Sequence, residues 1–261
     1  RDTLGRAVPG IAGGEEAVDA GAAVDVDDNA AHVVVGARRD FDAVVYEAHG
    51  PTTEEVGSYL TVATNGLDAL QAIGAHEAVL AAGFPTPVNV LMSSTGRRLG
   101  AASNGGRRPD GTVSHTVKRA RLYRALHEEA VGRGIQMEYG KRLVDAVATP
   151  GGGVTAQFED GTSATGDLLV GADGVHSLSR RLIDPAAPVG RYVGLVNFGG
   201  YTDHAVPDAE LGNWYMIFGR QAFFGYVVDP SGGTVWFVNV PREQVTAAER
   251  IATTSEDWQR R

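Results

Sequence analysis

The sequence predicts an α/β fold in which helices and short buried strands are interleaved with a mostly antiparallel sheet. Three observations predict it. Between residues 32 and 186, short β-branched runs alternate with stretches of helical periodicity. From Gly190 to Val240, strand patterns succeed one another with turn signals such as Asp229-Pro230-Ser231-Gly232-Gly233 between them. Eleven of the 19 aromatic residues fall in this second stretch, where they suit the faces of a sheet.

Composition bounds the function. The 261 residues are 43% hydrophobic and 21% charged, values of a globular chain with room for one large domain or two small ones. No run of 18 apolar residues is present, so a spanning helix is excluded and no membrane partner is expected. Arg1-Asp2-Thr3-Leu4-Gly5 lacks the layout of a secretory signal, and there are no cysteines; both fit a cytoplasmic protein. The absence of cysteine also excludes disulfides, iron–sulfur clusters and thiol nucleophiles. Of the net charge of −9, residues 1–30 carry −5, from seven acids and two arginines. No basic stripe with interleaved aromatics appears, which argues against nucleic acid as a partner.

The elements follow in order. Residues 1–30, rich in Gly, Ala and Asp, read as a poorly ordered acidic leader. Within it, Asp25-Val26-Asp27-Asp28-Asn29 invites a calcium reading. Ala30 and Gly36 stand where an EF-hand loop needs Gly and Glu, so no metal is assigned. His32–Gly36 and Asp42–Glu47 read as buried strands. Asn65 is placed to cap a short helix carrying Leu67, Leu70 and Ile73, stopped by Gly74. A second helix covers His76 to Ala82, and Thr86 to Leu99 reads as extended. Arg119 to Arg133 is the clearest helix, with Leu122, Leu126 and Ala130 on one stripe. Leu143–Ala148, Val154–Phe158 and a strand after Gly161 form a three-stranded meander, which feeds a buried strand over Leu168–Val170. Asp257-Trp258 begins a helix cut off by the chain end, within 246–261.

The most specific stretch is Gly166-Asp167-Leu168-Leu169-Val170-Gly171-Ala172-Asp173-Gly174-Val175-His176-Ser177, with Arg180 three residues later. A buried strand here delivers an acid to its carboxyl end, where open α/β sheets bind ligands, and Gly171 and Gly174 admit a close approach. This stretch resembles the internal fingerprint of the FAD-dependent aromatic hydroxylases, the para-hydroxybenzoate-hydroxylase-like monooxygenases. The resemblance covers roughly residues 31–258. It implies a FAD/NAD(P)-binding Rossmann-like domain from 31–86 and 112–186, interleaved with a mostly antiparallel substrate-binding sheet from 87–111 and 187–245.

The resemblance also implies site residues. Asp173 and Gly174 would lie beside the flavin's ribose and diphosphate. Val44-Val45-Tyr46-Glu47 resembles the second strand of the fold, so Glu47 would hold the adenosine ribose. Gly57-Ser58-Tyr59-Leu60 through Leu67 resembles the loop and helix under the flavin. Arg119 resembles the arginine near the FAD diphosphate, where a guanidinium offers paired donors. Gly36 would be the one surviving glycine of the phosphate-binding turn. The implied activity is monooxygenation of an aromatic or polycyclic small molecule, with FAD as cofactor and NAD(P)H as reductant. Phe198, Trp214, Phe223 and Trp236 are the candidate substrate-binding residues, expected on one face turned to the Leu168 side.

The sequence departs from that family at the first turn. After Val33-Val34-Val35-Gly36-Ala37 the chain runs directly into Arg38-Arg39-Asp40-Phe41 and the next strand. A parallel crossover needs about a dozen residues, so the two strands cannot be parallel neighbours in one βαβ unit. The expected consequence is weak FAD binding, and the alternative reading is a non-catalytic remnant of the fold that binds an apolar ligand. His127-Glu128-Glu129-Ala130-Val131 lacks the second histidine of a zinc-protease helix, no Gly-x-Ser-x-Gly elbow occurs, and His176 reads as structural. No catalytic acid–base pair is identified; in such enzymes the cofactor carries the chemistry.

Overall fold

A computed structural model describes residues 32–34, 42–50 and 59–244. The acidic leader and its Asp25–Asn29 stretch, Gly36, Gly57, Ser58 and the helix expected near Trp258 lie outside the described residues.

The chain begins with β1 (His32–Val34), β2 (Val44–Glu47) and β3 (Tyr59–Val62), then α1 (Thr64–Ala72), α2 (His76–Ala82) and β4 (Gly83–Pro85). A hairpin of β5 (Val88–Ser93) and β6 (Arg98–Ser103) follows, then β7 (His115–Lys118), α3 (Arg119–Gly132) and β8 (Gln136–Tyr139). The meander β9 (Leu143–Ala148), β10 (Val154–Phe158) and β11 (Ser163–Gly166) leads to β12 (Val170–Ala172) and α4 (Leu178–Ile183). The last strands are β13 (Leu195–Thr202), β14 (Trp214–Phe218), β15 (Phe223–Val228) and β16 (Thr234–Pro241).

Two sheets organise the molecule. The first has the order β12-β1-β2-β8. β1 is antiparallel to both β12 and β2, while β8 is parallel to β2. β2, β8 and β12 therefore point the same way and β1 runs against them, as the short connection after Val34 requires. One face of this sheet carries Tyr46, whose ring stacks on Phe158 of the meander at 4.7 Å. The other face carries Tyr139, which meets His127 of α3. Gly134, at φ +80°, turns the chain from α3 back into β8, so helix and strand run antiparallel.

The second sheet has the order β13-β16-β15-β14-β5-β6. All its pairings are antiparallel except β14 with β5, which joins the early hairpin to the late strands. Trp214, Val227 and Val235 form its buried face, packed against Tyr59 and Phe84 of the small sheet β3-β7-β4. There the indole N–H of Trp214 donates to the Thr116 hydroxyl at 2.9 Å.

Several expectations are corrected locally. The strand after the meander starts at Val170 rather than Leu168, and Leu168 is 59% exposed and Val170 39% exposed. β12 is an edge strand, and only Leu169, pointing the other way, packs with Phe158 and Leu143. α1 starts at Thr64 with Ala63 as its cap, so Asn65 lies inside the first turn; the Thr64 hydroxyl donates to Gly105 O instead. The extended stretch from Thr86 is a hairpin, folded where Ser93 N donates to Arg97 O at 2.9 Å and Gly96 adopts φ +80°. Gly74, at φ +71°, ends α1 as expected.

Candidate functional site

Strand direction assembles the site. Because β2, β8 and β12 are parallel, their carboxyl ends share one edge of the sheet, the edge at which open α/β sheets take ligands. Glu47 and Tyr139 end β2 and β8 as register partners, and Asp173 follows the last residue of β12. α3, antiparallel to β8, carries Arg119 out beyond the same edge. His127 touches the end of β8, and Arg119 lies two turns earlier, about 12 Å further along the axis. β1, running the other way, ends at Val34 on the opposite edge.

Glu47 is buried, and its Oε1 accepts from the His49 backbone N–H at 2.7 Å. Its carbonyl accepts from Lys141 N at 2.8 Å, and His49 O accepts from Gly140 N. These bonds tie the loop after β2 to the loop after β8. The edge at Glu47 is thus held by backbone as well as by packing.

Both carboxylate oxygens of Asp173 are engaged within its own turn. Its Oδ1 accepts from the Ser177 hydroxyl at 2.5 Å and its Oδ2 from the Ser179 N–H at 2.8 Å. The Ser177 Oγ in turn accepts from Arg180 N at 2.9 Å, capping α4. The Arg180 guanidinium donates to the carbonyl of Val175. Burial pushes the Asp173 carboxyl up, but the Ser177 hydroxyl and the Ser179 N–H outweigh it and hold the net value below the usual range. Gly171 is required beside this loop, because a Cβ there would stand 2.3 Å from Ser179 Cβ. Gly174 makes the turn at φ +71°. The fingerprint residues therefore brace the strand-to-helix turn.

The four aromatic candidates do not share a face. Trp214 and Phe223 lie on the inner face with Phe237; the Phe223 and Phe237 rings are 5.6 Å apart. Register places Phe198 opposite Val238 and Trp236 opposite Gly200, on the outer face. The inner face is turned to Tyr59 and Phe84, not to Leu168. On the outer face, Phe224, Tyr226 and Trp236 floor a cavity of about 570 Å³ under the loop of His204 to Pro207. The period of two decides this split: 214 and 236 occupy opposite parities relative to the ladder β14-β15-β16.

Sequence reasoning missed Tyr139, His127 and Tyr123. The Tyr139 hydroxyl lies 2.5 Å from His127 Nε2, and the His127 and Tyr123 rings stack at 6.0 Å. The four-residue spacing of Arg119, Tyr123 and His127 was visible in the sequence, but the place of Tyr139 beside Glu47 depends on how β8 pairs with β2.

An acid at the end of a parallel strand and a glycine-bearing strand-to-helix turn are features that nucleotide-binding α/β folds share. The FAD binding domain family matches residues 37–256, and the chain belongs to it. Among its relatives is the 2-heptyl-3-hydroxy-4(1H)-quinolone synthase of Mycobacteroides abscessus, 38% identical over 125 residues, which are 48% of this chain and 32% of that protein. A FAD-dependent urate hydroxylase of Mycolicibacterium vanbaalenii is 28% identical over 213 residues, 73% of this chain and 52% of that one. In structure the chain resembles Klebsiella pneumoniae HpxO complexed with FAD and uric acid. The TM-score is 0.65 at 27% identity, covering 77% of this chain and 51% of that one. The chain thus spans about a third to a half of the length of these relatives.

Proposed function

We propose that this chain is the cofactor- and substrate-holding part of a cytoplasmic FAD-dependent monooxygenase that hydroxylates an aromatic or polycyclic small molecule, with NAD(P)H as reductant. The observation that carries the reading is the common edge formed by the ends of β2, β8 and β12, in a chain of the FAD-binding family. Residues 31–86 and 112–186 would hold the cofactor, and 87–111 and 187–245 would form the substrate sheet. The pairing of β5 with β14 supports grouping the early hairpin with the late strands.

The residues present fit the adenosine end of FAD. The buried Glu47 carboxylate suits a ribose diol, and the Arg119 guanidinium suits phosphate oxygens. Asp173 would act by fixing the loop around Gly174, whose backbone would lie against the cofactor. When bound, FAD would supply the redox chemistry that passes one atom of dioxygen to the substrate. The inner face of the six-stranded sheet, with Trp214, Phe223, Phe237 and Met216, would keep water from the reacting side.

The phosphate-binding turn fits less well, since β1 ends on the edge opposite Glu47. Losing two hydrogen bonds to a charged diphosphate, at roughly 1.5–3 kcal/mol each, weakens binding by roughly 3–6 kcal/mol. That corresponds to a factor of hundreds to tens of thousands. The purified chain is expected to be colourless, or to take up added FAD only weakly in a titration followed by flavin absorbance and fluorescence. Stoichiometric FAD retained through purification would show that another segment supplies the phosphate contacts.

A further inference from the structure

The six-stranded sheet has a second face, and a cavity is built on it. Trp236 stands between Val235 and Phe237, whose side chains belong to the inner face, so its indole points to the outer one. Tyr226 is the register partner of Trp236, and the Phe224 ring lies 6.1 Å from Tyr226 and 6.4 Å from Trp236. Gly200 of β13 lets the indole lie against the strand, since a Cβ there would stand 3.0 Å from Trp236 Cζ2. The loop above this floor is pinned at both ends. The Thr234 hydroxyl donates to His204 O at 2.6 Å, and Glu210 N donates to the Tyr215 hydroxyl at 3.0 Å. Tyr215 in turn stacks on Tyr226, with ring centroids 4.9 Å apart. The space between floor and loop is about 570 Å³, within the range of small-molecule pockets.

The lining decides what fits. Three rings with Val206 and Pro207 make an apolar, flat-floored space. Two donors are spare: neither the Trp236 indole N–H nor the Tyr226 hydroxyl has a hydrogen-bond partner among the described residues. Burial, and secondarily the neighbouring Tyr215, push the Tyr226 phenol up, so it keeps its proton at neutral pH. Residues 192–219 carry Asp203, Asp208 and Glu210 with no lysine or arginine, and His204 is their one basic side chain. An anion entering under this loop meets acids rather than a fixed positive charge.

We propose that the outer face of the six-stranded sheet carries a second ligand site, for a neutral planar aromatic molecule whose carbonyl accepts from the Trp236 indole N–H. The site lies across the sheet from Trp214, Phe223 and Phe237, so it is separate from the face assigned to the substrate. It does not depend on the cofactor reading. A molecule held there touches β15 and β16, the strands that carry Phe223 and Phe237 on their other side.

The test is a nuclear magnetic resonance titration of the isotopically labelled chain with coumarin, a neutral planar lactone, read at the tryptophan indole N–H signals. The Trp236 signal is identified by its loss in Trp236→Phe. It is expected to shift saturably, with half-saturation below about 1 mM. The Trp214 signal, whose N–H is already bonded to Thr116, should stay in place. Tyr226→Leu removes one ring of the floor and should weaken coumarin about fivefold, the scale of one aromatic contact. A coumarin carboxylate should bind several-fold more weakly than coumarin. Phe218→Leu, exposed on the inner face beside Phe223, should leave the titration unchanged. A Trp236 signal that does not move, or a midpoint indifferent to Tyr226→Leu, would overturn the proposal. A shift abolished by Phe218→Leu would place coumarin on the substrate face and overturn it too. Equal binding of the carboxylate would refute the ligand class. A dimer in sedimentation that Trp236→Ala converts to monomers would make this face an interface between copies, and the proposal would fall.

Discussion

In the four-stranded sheet the strands are three or four residues long, and the residues with chemistry, Glu47, Tyr139 and Asp173, stand at or just past their carboxyl ends. In the six-stranded sheet the strands run five to eight residues, and the residues of interest stand on the faces. The difference sets what a local change can do. At a strand end, position is decided by strand direction and by the turn that follows, so one glycine or one capping bond controls it. On a face, position is decided by parity, and a side chain is either sealed against the rest of the molecule or left on the outer side.

The largest expected effect tests the second half of that comparison. Trp214→Ala removes a buried indole together with its bond to Thr116, and should cost about 3–5 kcal/mol in denaturant unfolding. Trp236→Ala, two strands away on the outer face, should cost about 1 kcal/mol. Equal losses would mean that the outer face is sealed as tightly as the inner one.

A smaller effect is expected at a strand end. Gly171→Ala would force a Cβ against Ser179 and displace the start of α4, at about 1–3 kcal/mol. If Gly171→Ala unfolds at the wild-type denaturant midpoint, the turn after β12 is looser than its bonds indicate.

The smallest effect is a pH dependence at the same turn. The Asp173 carboxyl is depressed in the folded state, so its contribution is fully present above the unfolded carboxylate value. It is lost as pH falls through the lower folded value. Asp173→Asn should therefore lower stability at neutral pH and flatten its decline in acid, read as Tm against pH from 7 down to 3. A variant curve parallel to the wild type would show that the hydrogen bonds from Ser177 and Ser179 do not depend on the charge.

The sequence, taken alone, was informative wherever the signal is local. α3 runs over Arg119–Gly132 within a residue of its predicted end, because apolar spacing and Gly134 both act within a few residues. The meander over residues 143–166 was legible for the same reason, its turns being marked by Gly151–Gly153 and Gly161, all with positive φ. The strand near Leu168 was misplaced because an apolar run looks the same whether a sheet centre or a sheet edge receives it. The aromatic quartet was wrongly expected on one face because residues from different strands acquire a common face only once register is known.

What the sequence by itself determined is the family, the alternation of elements and the residue types at the ends of β2 and β12, since these are written in contiguous stretches such as Gly171-Ala172-Asp173-Gly174. It also determined that β1 and β2 cannot be parallel neighbours, because chain length bounds how far a connection reaches. The tertiary structure alone decided that Asp173 braces its own turn, that Trp214 and Trp236 stand on opposite faces, and that Tyr123, His127, Tyr139 and Glu47 come together. The physical reason is the same in each case. Strand pairing and helix packing join residues far apart in the chain, and the pairing energy comes from backbone bonds and buried area that no single stretch of sequence contains.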